Sequence, residues 1–488
     1  MITDSPIAAK HPRGIYTLFF TEMWERMSYY GMRALLVLFM VDQMRGGLGL
    51  KDEQAAAIYG LYTALVYLVA LPGGWIGDRL IGAKSAVWWG GVIIAAGHLV
   101  LGIDRTSTFY LGLILIALGS GLLKPNMSVL VGQLYPEGGA RRDAGFTLFY
   151  MGINVGAFIG QIVCSNLGEH VGWRWGFSAA AAGMILGLVQ FQLTRKHLAT
   201  VGNWQPHPGQ NLRRDWLLLI GGIVAIVLAV ALCMGGVIPF DPIGVAKLTS
   251  WAIVGIAVLF FAWAFLFGKL SPAETRHMIV IVIMFASAVL FFAGFEQAGS
   301  SFSLFAERFT IREFGGWKLA AGMFQSLNPL MVIALSPVIA GLWLALAKRN
   351  AEPLLATKLS WAMLLLAAGF VVAAIAATRA LATGPVWPTW LFSIYLLHTL
   401  GELFLSPVGL SAITKLSPPR LTGQMMGVWF LGTSLGNLLA GLLAGEVTGD
   451  SAAQMPMRFL QVLGMAGVVG VVLWLCARRI QQLMPGVK

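Results

Sequence analysis

Apolar stretches of about 20 residues or more, separated by short polar turns, recur along the whole chain. That is the length a helix needs to cross a hydrocarbon core ~30 Å thick. Fourteen such helices are predicted, at 15–41, 54–77, 85–104, 108–134, 144–167, 172–193, 216–236, 245–268, 278–305, 317–347, 357–378, 387–414, 421–446 and 456–477. The N-terminal segment MITDSPIAAKHPRG is polar, and the first apolar run is too long for a signal-peptide core, so no cleavable signal is expected.

Composition carries the pattern to a solvent. The chain is 58% hydrophobic and 11% charged, with mean hydropathy +0.78, whereas soluble domains hold roughly 25% charged residues. Lipid is therefore the solvent, and the class is all-α integral membrane protein. The three cysteines, Cys164, Cys233 and Cys476, all fall inside apolar spans and read as small packing residues, not as a disulfide or a metal site. An even number of spans puts both termini on one side. Of the 33 Lys and Arg residues, twenty fall in the terminal segments and turns of that side, from Lys10 and Arg13 to Arg478, Arg479 and Lys488. Ten fall in the opposite turns, among them Arg45, Arg105, Arg308 and Arg379. The positive-inside rule then makes both termini cytoplasmic. It also accounts for most of the +12 net charge, so no nucleic-acid partner is needed.

Seven charges remain inside predicted spans: Glu22, Glu25, Arg26, Arg33, Lys124, Glu296 and Glu402. Charge at membrane depth is costly, so such groups face a cavity, pair with one another and mark function. On the first helix, Glu22, Arg26, Tyr29 and Arg33 share one face at 100° per residue, flanked by Glu25 and Tyr30. Two carboxylates beside one guanidinium compete for it, which makes this cluster a candidate proton relay, with a structural ion-pair cluster as the bland alternative. Lys124, next to a proline far from either interface, and Glu402 are functional candidates on the same ground. His98 and His398 are single histidines in apolar spans and read as satisfied core residues.

The chain also repeats itself. In KPNMSVLVGQLYP (124–136) and SPVGLSAITKLSP (406–418), a proline within a span is followed eleven residues later by a loop proline. Downstream, MGINVGAFIG (151–160) parallels LGTSLGNLLA (431–440), with Gly152, Asn154 and Gly156 matching Gly432, Ser434 and Gly436. The two blocks lie at nearly the same spacing, which argues for a duplicated half. Residues 1–193 would form an N-terminal six-helix bundle and 278–488 a C-terminal one. Between them, 194–277 would hold a polar cytoplasmic linker and two additional helices, which lack stranded charges and read as lipid-facing scaffold. Two such halves are the architecture of major-facilitator transporters, with substrate held at the midplane. In GGWIGDRLIGAK (73–84), glycines permit close helix approach, and Asp78 and Arg79 are placed to pair or cap at the cytoplasmic gate.

EMWER with SYYG (22–31), GGWIGDRLIGAKSAV (73–87), FTLFYMGINVGAFIG (146–160), FEQ (295–297), LNP (327–329) and GELFLSP (401–407) together resemble the motifs of the proton-coupled oligopeptide transporter family over nearly the full chain. The bacterial members also carry two extra helices between the halves. Met27 departs from the family's usual Phe, and Phe292 stands where many bacterial members carry Trp. The resemblance implies proton-driven uptake of di- and tripeptides, by a monomer in the bacterial cytoplasmic (inner) membrane. It implies no cofactor beyond the proton gradient. A dipeptide zwitterion holds its carboxylate and ammonium roughly 5–7 Å apart and needs cations facing an anion. Carried over by position, Glu22, Glu25 and Arg26 would couple protons. Arg33 and Lys124 would hold the peptide carboxylate, and Glu402, with Asn154 and Asn328, the ammonium. Tyr29, Tyr30, Tyr67, Tyr150, Ser406, Phe292 and Trp429 would line the backbone and side-chain pockets. Arg33 with Glu296 is expected as an outer gate pair, Lys124 with Glu402 as an inner one, and Asp52 with Arg308 as a second outer latch. The rival substrate within the family is nitrate or a drug-like anion. A membrane enzyme finds no support, for there is no His cluster, HExxH or Ser/His/Asp set at membrane depth.

Overall fold

The computed structural model describes residues 11–103, 106–137, 139–206, 209–448 and 452–484, without the side chains of 106, 107, 140, 234, 445–448 and 452. Lys10, Arg105 and Lys488, used above for orientation, lie outside the described residues. The fold is helical: α1 Gly14–Val41, α2 Asp52–Leu68, α3 Ala70–Ile76, α4 Ala83–Leu101, α5 Thr106–Gln133, α6 Gly139–Asn166, α7 Trp173–Thr194 and α8 Leu212–Met234. There follow α9 Pro242–Phe267, α10 Pro272–Phe295, α11 Ser301–Phe309, α12 Leu327–Lys348, α13 Leu355–Thr383, α14 Thr389–Leu416, α15 Thr422–Thr448 and α16 Met455–Gln482. Thirteen helical segments among the described residues are long and apolar enough to span a membrane. The fourteenth predicted span is α1, which is long enough but carries four charged side chains, Glu22, Glu25, Arg26 and Arg33.

Two predicted spans are broken, and one begins late. The span over 54–77 is α2 and α3, parted at Val69. Pro72 has no N–H to return to the Leu68 carbonyl, so the helix breaks one turn before it. The span over 278–305 is α10 and α11, joined by a 3₁₀ turn over Glu296–Gly299. Residues 317–320, expected in the tenth span, do not belong to it. Trp317–Lys318 (β2) pairs antiparallel with Glu313–Phe314 (β1) across Gly315 and Gly316. Both glycines have positive φ, 57° and 82°, as a two-residue hairpin turn requires.

Packing divides the helices into two compact units, Met1–Leu35 with Leu65–Asp241, and Leu36–Ala64 with Pro242–Lys488. This partition follows contacts, whereas 1–193, 194–277 and 278–488 follow repeat and linker. The two differ at the α1–α2 turn and within the extra pair, where α8 goes with the first unit and α9 with the second. In the first unit, glycines bring backbones together, the means by which membrane helices associate without a hydrophobic driving force. A Cβ on Gly90 would meet the Gly119 carbonyl at 2.8 Å and one on Gly97 the Gly112 carbonyl at 2.9 Å, so α4 and α5 lie in close contact. Met27 packs with its sulfur against Gly183 of α7, off the charged face of α1. In the second unit α9 buries a stripe (Ala246, Ser250, Ile253, Ala257, Phe261 and Ala264), with Phe261 edge-on to Phe285 of α10 at 5.7 Å.

The duplication is visible in how these elements pack. A Cβ on Gly156 of α6 would strike the Met23 carbonyl and approach Arg26 Cβ to 3.0 Å. A Cβ on Gly436 of α15 would approach the Val289 carbonyl to 2.9 Å and Phe292 Cβ to 2.6 Å. The α1–α6 and α10–α15 crossings are thus the same crossing, and Phe292 stands in the second unit where Arg26 stands in the first. Pro125 and Pro407 likewise lie inside the corresponding helices α5 and α14.

Candidate substrate and proton site

In the first unit the acids and the arginine of α1 are buried, Glu22 2%, Glu25 0% and Arg26 4% exposed. One nitrogen serves both carboxylates. Arg26 Nε lies 2.6 Å from Glu22 Oε1 and 3.0 Å from Glu25 Oε2. Glu22 Oε2 and both Glu25 oxygens accept no hydrogen bond among the described residues. The glycine stripe of α6, Gly152, Gly156 and Gly160, lets α6 close on α1 at Phe19, Met23 and Met27, which seals this cluster from lipid.

One turn further along α1, the Tyr29 ring lies between two cations, 5.9 Å from Arg26 Cζ and 5.3 Å from Lys124 Nζ. Lys124 Nζ also sits 4.5 Å from the centre of the Tyr67 ring, and Arg33 Cζ lies 5.6 Å from that of Tyr30. Such contacts are worth about 0.5–2 kcal/mol each and hold a cation without neutralising it. Six expected site residues, Arg26, Tyr29, Tyr30, Arg33, Tyr67 and Lys124, are therefore brought together. Tyr150 is exposed, and Asn154 is buried and donates to the Tyr150 carbonyl of its own helix at 3.0 Å.

Lys124 is placed by its neighbours. Pro125 frees the Gly121 carbonyl, and α3 closes onto it at Gly73, where a Cβ would not fit. Asn126, fully buried, donates to the Gly73 carbonyl at 3.0 Å and to Leu122 at 2.8 Å. It clamps α3 to α5 two residues from the lysine. The sequence signal for it was its place in KPN beside the membrane proline. Farther down, Arg79 pairs with buried Asp215 of α8 at 3.7 Å, and its carbonyl accepts from Trp204 and Gln210 of the linker. The expected Asp78–Arg79 motif thus meets the linker and α8.

In the second unit, Asn328 of α12 donates to Glu402 Oε2 at 2.9 Å and to Thr399 Oγ1 at 3.0 Å. Asn328 and Glu402 are together as expected, but the amide presents a donor to the carboxylate and so orients it. Thr399, one turn before Glu402 and fully buried, was not foreseen; its i, i+3 spacing from Glu402 was the available signal. Ser406 is half-buried just before Pro407. Trp429 is 3% exposed and lies against Gly409. Phe292 packs among Phe291 and Phe295, and Glu296, 6% exposed, opens the 3₁₀ turn. His398 is enclosed by Phe302 and Phe370. Of the expected gate pairs, Arg33 and Lys124 belong to the first unit, Glu296 and Glu402 to the second.

The second unit also contains the end of the α1–α2 turn. Arg308 grips Asp52 with two hydrogen bonds of 2.6 and 2.8 Å, the pairing expected from sequence. Beside it, α2 crosses α15 where Gly60 faces Gly441, Ser434 Oγ donates to the Ala64 carbonyl at 3.0 Å, and Tyr59 covers Gly299.

With this geometry in hand, known proteins supply the family. The POT family profile matches residues 84–457. The chain belongs to the POT family. It is 41% identical over 490 residues to the peptide transporter YePEPT of Yersinia enterocolitica subsp. palearctica, covering 97% of this chain and 95% of that one. It is 34% identical to a di-/tripeptide transporter of Lactococcus lactis subsp. lactis, covering 98% and 97%. Among solved structures, it resembles a peptide transporter POT in complex with sulfate, at 38% identity and TM-score 0.90 over 98% of this chain and 96% of that. It also resembles a POT family transporter in complex with a thioalcohol-conjugated peptide, at 32% identity and TM-score 0.88 over 96% and 97%. The charged α1 cluster, the Lys124 cradle and the oriented Glu402 are therefore features of a POT family member.

Proposed function

We propose that this POT family protein imports di- and tripeptides with protons by alternating access, from a bacterial cytoplasmic membrane in which both termini face the cytoplasm. The observation that carries the reading is the sharing of Arg26 Nε by Glu22 and Glu25, one turn from a cradle of tyrosines and cations. A proton taken up by one carboxylate removes its claim on Arg26, so the guanidinium is left to the other. The charge felt by Tyr29 and Lys124 beyond it changes in the same step. Proton occupancy and the cation available for substrate are thereby linked.

A peptide carboxylate suits Arg33 and Lys124, whose rings of tyrosine leave the positive charge in place. A peptide ammonium suits Glu402, already turned by Asn328, whose amide also donates to Thr399. Peptide side chains meet Phe292, Trp429 and the tyrosines, with Asn154, Tyr150 and Ser406 as polar lining. Affinity then comes from termini and backbone, which explains tolerance of side chains. Arg33 with Glu296 closes the outer side, Lys124 with Glu402 the inner side, and substrate weakens the inner pair by offering each partner its own counter-ion. The protein needs no cofactor and works as a monomer.

Nitrate or another small anion would use the cations and leave Glu402 with nothing to bind. Uptake into proteoliposomes under an imposed inward proton gradient separates these substrates. Dialanine and trialanine are expected to accumulate, and alanine and nitrate are not. Accumulation of nitrate without dialanine would overturn the reading.

A further inference from the structure

A fully buried amide follows the membrane proline of α5, and only its donor half is satisfied. Asn126 Nδ2 donates to the Gly73 carbonyl of α3 at 3.0 Å and to the Leu122 carbonyl of its own helix at 2.8 Å. Its Oδ1 accepts no hydrogen bond among the described residues. Gly77, just past the end of α3, closes on that oxygen so tightly that an added Cβ would strike it. A buried acceptor with no partner is costly, so the amide is kept for its donors. What they hold is a loose piece of chain. α3 has seven residues and is parted from α2 at Val69, and a helix of that length depends on its neighbours for its place.

The repeat supplies a control. In the second block Ser406, Pro407 and Val408 take the places of Lys124, Pro125 and Asn126. Pro407 lies inside a continuous helix, α14, with valine after it, so passing a membrane proline does not require an amide. The second helix of that half, α12, also runs unbroken over Leu327–Lys348. The amide, the broken helix and the lysine occur together in the first unit. There the last turn of α2, from Leu65 on, packs with α5's unit. A Cβ on Gly121 would meet Val69 Cγ1 at 2.6 Å, so the break is seated on α5 one turn before Lys124. Two residues ahead of the break, the Tyr67 ring centre lies 4.5 Å from Lys124 Nζ. Asn126 fixes the other side of the same break.

We infer that Asn126 is a positioning residue of the peptide site. By pinning α3 to α5 it holds Tyr67 against the Lys124 ammonium, which is thereby fixed in place before a peptide carboxylate arrives. Asn126, fully buried, acts through these two side chains. The inference rests on the proposed role of Lys124 as partner of the peptide carboxylate, and the two are separable by experiment.

The full-length protein in mild detergent is titrated calorimetrically with dialanine and with alanyl-alanine amide, in which a neutral amide replaces the carboxylate. Wild type is expected to prefer dialanine. Asn126→Val, which installs the residue the repeat itself uses, is expected to lose about fivefold of that preference, the worth of one cation–ring contact, while its affinity for the amide stays within twofold. Gly77→Ala reaches the same clamp from α3, by driving a methyl at Asn126 Oδ1, and should lose the preference to a similar extent. Tyr67→Leu should lose it too, and adding Asn126→Val to Tyr67→Leu should cost no more. Retention of the wild-type preference in both Asn126→Val and Gly77→Ala would overturn this inference alone. So would an equal loss of affinity for both ligands, which is what a purely structural residue gives, or additive losses in the Tyr67→Leu/Asn126→Val double. A wild type that does not distinguish dialanine from its amide would overturn the carboxylate role of Lys124, and this inference with it.

Discussion

Arg26 has one Nε, and two carboxylates reach it. In the proposed mechanism, a proton on either acid changes what the other sees. It also explains why a buried cluster of such cost persists, for buried ion pairs are poor sources of net stability. The Glu402 carboxylate is proposed for another task, and Asn328, itself held by Thr399, fixes its direction. Glu402→Gln is expected to raise the KM for dialanine counterflow about tenfold or more, the loss of a charge-assisted hydrogen bond of roughly 1.5–3 kcal/mol. Asn328→Ala is expected to raise KM by less, because it loosens the carboxylate without neutralising it. An Asn328 effect as large as that of Glu402 would make the amide itself the ligand. The residues of this site were legible where type alone reveals function, as with acids, arginines and a lysine inside apolar spans. Asn126 and Thr399 were not, because an uncharged polar side chain reveals its role only through the helix it touches.

At the scale of elements, the two glycine crossings do the same mechanical work for different chemistry. Gly156 seats α6 on α1 beside Arg26, and Gly436 seats α15 on α10 beside Phe292. Gly156→Ala and Gly436→Ala are each expected to cost about 1–3 kcal/mol, through the backbone shift that an extra methyl forces in close packing. Thermal unfolding in detergent checks this, with Gly423→Ala, where nothing lies within 4 Å, as the unchanged control. Only the Gly156 change should also lower the proton-driven accumulation ratio, since only it displaces Arg26. The spans themselves were readable from hydropathy because lipid demands unbroken apolar length. Their interruptions were not all read. Pro72 announces the break at Val69, and Gly315–Gly316 announces the hairpin that shortens the tenth span, but hydropathy averages over both. The 3₁₀ turn at Glu296 has no proline, and its residues alone did not forecast it.

For the whole molecule, the packing units show which segments pack together. The α1–α2 turn lies with Pro242–Lys488, held by the Asp52–Arg308 fork, the Gly60–Gly441 crossing and the Ser434–Ala64 hydrogen bond. If alternating access parts this turn from its neighbours, the fork must break in each cycle. Asp52→Arg and Arg308→Asp are each expected to bring two like charges together and slow uptake severalfold. The double variant Asp52→Arg/Arg308→Asp should recover much of the rate, and a double no better than either single would remove the latch from the account. The duplicated half was visible in the spacing of prolines and glycines. The assignment of the turn to the second unit was not, since it rests on contacts between residues some 250 positions apart, such as Asp52 and Arg308. Those distances along the chain leave no local trace.

The central claim is that the α1 acids tie peptide movement to protons. Its most direct test compares two assays of the same proteoliposomes, dialanine accumulation under an inward proton gradient and dialanine counterflow without one. Wild type is expected to do both. Glu22→Gln and Glu25→Gln are expected to keep counterflow within a few fold and to lose accumulation, in at least one of the two variants completely. Accumulation at the wild-type level in both variants would contradict the account.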